Sequence, residues 1–265
     1  MAKKNQNHFP RKRFGQHFLH DNQVIQRIIA AIAPNPKQHL IEIGPGKGAL
    51  TLPLLEHGCQ LDVIELDRDL VEVLKKKAIS FKQLRIYNAD VLNFDFRKLQ
   101  TNELRIVGNL PYNISTPLLF HLLKYASNIQ DMTFMLQKEV VDRMIAVPAT
   151  SDYGRLSVML QYSCQIEKIF DVSPNAFYPP PKVESSVVQL KPFLSPPVEV
   201  NNQEHFAHIV ALAFSQRRKM LRNTLKSVLD AKDIQTAGID PMARAETLKL
   251  EDFARLANSK ALRDK

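Results

Sequence analysis

The chain has 265 residues, with 36 Lys and Arg against 27 Asp and Glu for a formal net charge of +9, a pI near 9.5 and a mean hydropathy of -0.22. Hydrophobic content of 45% beside 24% charged residues excludes a disordered chain and suits a globular protein with a large core. The positive excess favours a polyanionic partner such as nucleic acid or an acidic membrane surface. No window approaches the roughly 20 apolar residues of a membrane helix. The basic N-terminus MAKKNQNHFPRKRFGQHF has no apolar run of signal-peptide type behind it, so a cytoplasmic protein with no membrane partner is expected. Cys59 and Cys164, in surroundings that read as apolar helix or helix end, have no second thiol or histidine at metal-ligand spacing. They are expected to be core thiols, and no metal is expected.

In chain order, DNQVIQRIIAAIA has apolar residues at helical spacing and ends near Pro34 and Pro36. An alternation then begins: HLIEIG strand, GALTLPLLEHG helix, LDVIELD strand, RDLVEVLKKKAIS helix, LRIYNAD strand. It continues with ELRIVGN as strand, STPLLFHLLKYA as helix with Ser115 as its cap, MTFMLQ as strand and KEVVDRMIA as helix. Strands alternating with helices predict an α/β fold, a doubly wound and mostly parallel sheet covered on both faces. The helical GRLSVMLQYSC, the proline-dense loop SPNAFYPPPK and the β-rich SSVVQLKPF close this domain. From Glu204 onward the pattern is helical only, EHFAHIVALAFSQRRKMLRNTLKSVL reading as one long helical stretch. The expected organisation is a basic arm at 1–20, an α/β domain at 21–195 and a small all-helical domain at 196–265.

IEIGPGKGAL sets Gly44, Gly46 and Gly48 between the first strand and the following helix. Glycines there permit a tight turn and close approach of a ligand, and the exposed N–H groups favour a negative group. Gly44, Gly46 and Ala49 also fit a dinucleotide pattern, and Glu65, at the end of the second strand, suits a ribose diol with either NAD or S-adenosylmethionine. Two features favour S-adenosylmethionine. Glu42 precedes the loop, giving EIGPGKG, which resembles the first motif of class I (Rossmann-like) methyltransferases; and NAD at 88–90 puts Asp90 at a strand end, where a carboxylate can accept from an adenine amine.

After the fourth strand comes NLPY, Asn109 to Tyr112, at the same sheet edge. It resembles the signature of methyltransferases that modify exocyclic amines of bases. An adenine N6 lone pair is delocalised into the ring, so it is a poor nucleophile until its N–H bonds are held. The Asn109 side-chain oxygen and the Leu110 carbonyl can accept those hydrogens. Pro111 stiffens the loop, and Tyr112 offers a ring on which the base stacks.

The ordered set RKRFGQHFL, EIGPGKGALT, IELD, NAD, GNLPYNIST and NAFYPPPKVESSVV resembles the KsgA (RsmA) family, the ribosomal RNA small-subunit adenine dimethyltransferases. That resemblance spans nearly the whole chain. It implies N6-dimethylation of two adjacent adenosines in the 3′-terminal hairpin of 16S ribosomal RNA, within the immature small subunit, by S-adenosylmethionine. It also implies that His17, Leu19, Gly44, Gly46, Glu65, Asp90 and Asn109 surround the cofactor, and that Phe177 stacks on the target base from the side opposite Tyr112. Many members have Asn where this chain has His17, and related enzymes often have Pro at the position of Leu110.

SQRRKMLRNTLK carries Arg217, Arg218, Lys219, Arg222 and Lys226, several near one face at helical spacing, where phosphate contacts would position RNA. The cluster Lys3, Lys4, Arg11, Lys12 and Arg13 is expected to act as an arm that orders on RNA. A monomer is expected. Competing readings are an Erm-type enzyme acting on large-subunit RNA, a non-catalytic assembly factor, and an NAD oxidoreductase.

Overall fold

A computed structural model describes residues 16–99 and 103–259. The basic cluster at residues 3–13 lies outside them. The chain forms two compact units, Met1–Val141 with Glu167–Pro192, and Asp142–Ile166 with Phe193–Lys265.

The first unit opens with the short strand β1 (Phe18–Leu19) and α1 (Asn22–Ile32), followed by β2 (His39–Ile43), α2 (Thr51–Glu56), β3 (Gln60–Glu65), α3 (Arg68–Lys77) and β4 (Leu84–Asn88). Next come β5 (Leu104–Asn109), α4 (Ser115–Leu123), β6 (Ile129–Gln137) and α5 (Lys138–Ile145). After α6 (Arg155–Ser163), the strands β7 (Cys164–Val172), β8 (Phe177–Tyr178) and β9 (Ser185–Pro192) complete the strand set.

Local chemistry sets these bounds. The Asp21 side chain accepts from Gln23 N and Val24 N, capping α1, whose Ile25, Ile28, Ile29 and Ile32 form one buried stripe at the spacing a helix face requires. Asp67 caps α3 in the same way. Lys75, Lys76 and Lys77 occupy its last turn, where cations complement the helix dipole.

Seven strands form one sheet in the order β4-β3-β2-β5-β6-β9-β7. The pairs β2·β3, β2·β5, β3·β4 and β5·β6 are parallel, and β6·β9 is antiparallel. The chain thus winds outward from β2 through β3 to β4, then returns to β2 with β5. The crevice at such a reversal, beyond the carboxyl ends of β2 and β5, is where open α/β sheets bind ligands. A separate two-stranded ribbon pairs β1 with β8, Phe18 opposite Tyr178 and Leu19 opposite Phe177.

At the opposite end of β5, Arg105 is buried with Asp131, Nε to Oδ2 at 2.9 Å. The same guanidinium donates to Ile32 O at 2.6 Å and to Gln38 Oε1 at 2.7 Å. A buried charge is tolerated only when paired and hydrogen-bonded. Here the pairing also satisfies a carbonyl at the C-terminus of α1.

The second unit contains α6 and, after the first unit's last strand, α7 (Gln203–Ala213), α8 (Leu221–Thr224), α9 (Ala231–Thr236) and α10 (Leu250–Asn258). Phe206, Ile209 and Val210 of α7 and Phe253 and Leu256 of α10 pack in one core with Tyr153, Val158 and Tyr162. That packing corrects the single boundary expected near residue 195, because residues 142–166 supply part of the helical unit's own core. The expected long helix is also interrupted. α7 stops at Phe214, a turn spans residues 214–219, and Met220 bridges Arg244 before α8. Cys59 lies just ahead of β3, and Cys164 caps the end of α6 and opens β7; both are buried as free thiols. Among the described residues no helix is long and apolar enough to cross a membrane.

Candidate active site

Beyond the ends of β2, β3, β4 and β5 lies a cavity of about 200 Å³. Its walls are the segment Gln16–Leu19, the glycine loop after β2, the ends of β3 and β4, and residues 109–114 after β5. Two motifs separated by 65 positions thereby meet, since a Cβ on Gly44 would lie 3.7 Å from both the Asn109 carbonyl oxygen and the Pro111 ring.

On the glycine-loop side, Gly44, Gly46 and Gly48 all have positive φ, between 56° and 86°. At Gly46 a Cβ would also come within 3.3 Å of the Phe18 ring, so the loop turns there without a side chain intruding on the wall. Glu65 latches the loop. Its Oε2 accepts from Gly46 N at 3.1 Å and its Oε1 from Asp67 N at 2.8 Å. Burial raises the Glu65 pKa, and the backbone N–H groups of Asp67, Gly46 and Leu66 oppose that rise. A carboxylate has about four acceptor directions, so acceptor capacity remains for a hydroxyl group.

Asp90, at the end of β4, is a cap: Oδ1 accepts from Leu92 N and Oδ2 from Asn93 Nδ2, both at 3.0 Å. Its carboxylate still borders the cavity. Beneath the loop, Glu42 is 2% exposed, and its Oε2 accepts from the Thr51 hydroxyl at 2.6 Å. Burial pushes its pKa up to about 8, with the Thr51 bond opposing and the Glu65 charge adding.

On the NLPY side, Gly108 allows the approach of β5 to β2, because a Cβ there would lie 2.5 Å from Ile43 O. Asn109 Nδ2 donates to His17 O at 3.2 Å. Only an amide N–H can bond a carbonyl oxygen, so the other end of the group, Oδ1, is left as an acceptor. Leu110 N donates to Met135 O, and Pro111 O accepts from Ile114 N and from the Ser115 hydroxyl. Ser115 is therefore the first residue of α4 and not its cap, which is Ile114.

Tyr112 is held at two points. Its hydroxyl bonds the Ser185 hydroxyl at 2.8 Å, and the His17 imidazole stacks on one face of its ring at 5.6 Å and 27°. His17 is fixed in turn by Pro179, whose carbonyl accepts from Nδ1 at 2.7 Å. Ser185 was not singled out in the sequence. Its spacing from Tyr112 carries no local signal, and only the position of β9 beside β6 brings the two together.

Phe177 departs from expectation. It is 2% exposed within the core beneath the ribbon and forms no part of the cavity wall. It packs as a hydrophobic plug, because β8 alternates and Phe177 lies opposite the buried Leu19. Among the basic residues, Arg217 is engaged by Glu246 at 3.2 Å and by Ser151 O. Arg217, Arg218 and Lys219 lie in the turn after α7, and only Arg222 is helical. The expected single helical face is therefore absent, although all four are exposed.

The groups present fit S-adenosylmethionine: a side-chain-free glycine turn, and carboxylates at the ends of two adjacent strands. With the strand order and the NLPY loop at the switch point, they define a class I S-adenosylmethionine-dependent methyltransferase. The model of the family described as ribosomal RNA adenine dimethylase matches residues 7–262. The chain belongs to that family, which excludes the nicotinamide reading of the glycine loop.

Among curated relatives, "Ribosomal RNA small subunit methyltransferase A" of Pseudomonas aeruginosa is 54% identical over 256 residues, covering 96% of each chain. The protein of the same description in Marinomonas is 53% identical, over 96% of this chain and 97% of its own. Among solved structures, a dimethyladenosine transferase from Plasmodium falciparum superposes with a TM-score of 0.78 at 26% identity, covering 91% of this chain and 96% of its own. The 23S rRNA methyltransferase ErmE gives 0.70 at 26% identity, with 91% and 98% covered.

Proposed function

We propose that this chain dimethylates N6 of two adjacent adenosines in the 3′-terminal hairpin of 16S ribosomal RNA, within the immature small subunit. The observation that carries the reading is the Asn109 amide. Its N–H end is tied to His17 O, so its oxygen is preorganised as an acceptor beside the glycine loop. Identity of 54% to a small-subunit enzyme against 26% to ErmE favours the small over the large subunit.

S-adenosylmethionine, when bound, supplies a methyl group on a sulfonium, which is already an activated leaving group. Glu65 would hold its ribose, Asp90 its adenine amine, and Gly44 and Gly46 its methionine end, with Leu19 and the His17 backbone closing the site. Asn109 Oδ1 and the Leu110 carbonyl accept the N6 hydrogens and turn the lone pair towards the methyl group. Tyr112 stacks the base on the ring face that His17 leaves. As the N–C bond forms and the S–C bond breaks, one N6 proton becomes acidic and leaves to solvent, so no strong base is required. The second round repeats this on the monomethylated amine. Arg218, Lys219 and Arg222 are exposed and suited to phosphate; with Arg217 they make the RNA surface of the helical unit. The reading carries with it a cytoplasmic monomer that needs no metal.

The test is incubation with labelled S-adenosylmethionine and undermethylated small or large subunits, followed by mapping of the label. Label on N6 of the small-subunit 3′-terminal hairpin is expected. Label in large-subunit RNA would overturn the substrate, and no transfer by a cofactor-binding protein would leave an assembly role.

A further inference from the structure

The β1·β8 ribbon has two unlike faces. Opposed residues of an antiparallel pair project to the same side, and successive residues to opposite sides. Leu19 and Phe177 are opposed and both buried, in one core cluster. Phe18 and Tyr178, the other opposed pair, therefore occupy the reverse face. Phe18 on that reverse face and Leu19 on the core face both line the cavity, and the Phe18 ring lies against the glycine loop at Gly46.

Tyr178 is nevertheless 65% exposed and stands outside the wall itself. Its neighbour Pro179 holds the His17 ring, and that ring covers Tyr112. A large aromatic side chain on the reverse face of the ribbon is thus left open to solvent, one residue from the support of the target loop. The run Pro179–Pro181 behind it restricts the backbone.

The proposed substrate has two adjacent adenosines, and while one occupies the cleft its neighbour must lie outside. We infer that Tyr178 is the platform on which the base of the flanking nucleotide stacks while its neighbour is methylated. The inference rests on the proposed activity and deepens it. Stacking on an aromatic ring accepts any base face, so one platform serves whichever adenosine is outside. Phe177, on the core face, cannot take this role without unpacking the ribbon.

The experiment measures KM for undermethylated small subunits, S-adenosylmethionine affinity by calorimetry, and thermal melting for the full chain and for Tyr178→Ala, Tyr178→Phe and Tyr178→Trp. Loss of one stacked base corresponds to roughly a 10-fold rise in KM for Tyr178→Ala. Cofactor affinity and melting are expected to be unchanged, the Phe and Trp variants to be close to the parent chain, and the salt dependence of binding to keep its slope because no charge is removed. A parental KM in Tyr178→Ala would overturn the inference, as would a loss in Tyr178→Phe equal to that in Tyr178→Ala. Label in large-subunit RNA would overturn the substrate reading instead, and the same Ala and Phe comparison on that RNA would still decide the role of Tyr178.

Discussion

Ninety-two residues separate His17 from Asn109, and the Asn109 amide donates across that separation to the His17 carbonyl at 3.2 Å. The bond fixes which end of the amide stays available as an acceptor. Asn109→Ala removes the acceptor, and kcat is expected to fall by about 10²-fold or more, the scale of losing one preorganised polar group. Filter binding of RNA should change little. Asn109→Asp keeps an acceptor but loses the donor to His17, so a partial loss is expected. Equal loss of RNA binding and turnover in Asn109→Ala would sink the assigned role.

Tyr112 and Ser185 act as one unit if the hydroxyl contact orients the ring. Tyr112→Phe and Ser185→Ala should each lower kcat, by up to about 10-fold, the scale of one net hydrogen bond. The double variant should be little worse than either single one. Multiplying losses in steady-state assays would show that the two residues are independent.

Gly108 tolerates no side chain, since its Cβ would lie 2.5 Å from a backbone oxygen of β2. Gly108→Ala is expected to destabilise the fold by about 1–3 kcal/mol through overpacking, read by urea denaturation. Turnover should also fall, because the shift occurs next to Asn109.

Glu42 carries a sign that can be worked out. Its folded pKa, raised from 4.5 to about 8 by burial, means that the folded chain holds an extra proton between those values. Stability is therefore fully present in acid and declines as pH rises from about 4.5 through about 8. Glu42→Gln keeps an acceptor for Thr51 without the charge. Its melting temperature should match the parent near pH 4 and exceed it near pH 9. A constant offset at both pH values would contradict this account.

Phe177→Leu distinguishes core packing from base stacking. A plug should tolerate the aliphatic replacement with a modest fall in melting temperature and near-parental kcat, whereas Phe177→Ala should cost about 3–5 kcal/mol of stability. A large loss of kcat in Phe177→Leu with unchanged melting would restore a stacking role.

The strand alternation and the two loops at the switch point were legible because both depend on local chemistry: glycines after a strand, and Asn-Leu-Pro-Tyr after another. The phase of β8 was not. A two-residue strand has no periodicity to read, and its facing depends on β1, about 160 residues earlier. The break after α7 was likewise hidden, because the residues at 214–226 are good helix formers and tertiary bonds override them: Leu221 N to Ala243 O and Arg222 N to Pro241 O. The inclusion of residues 142–166 in the helical unit is a packing fact with no composition change to announce it. Ser185, though visible in the sequence, had no partner until the sheet order was known.

Both ends of β5 hold the same preceding stretch of chain. At its start, Arg105 takes the carbonyl of Ile32 at the close of α1; at its end, Asn109 takes the carbonyl of His17 ahead of α1. The residues from His17 to Ile32 are thus clasped to the catalytic strand like a splint tied at top and bottom. A displacement of this segment would therefore reach the Asn109 amide, so the position of α1 and the geometry of the NLPY loop share one mechanical element.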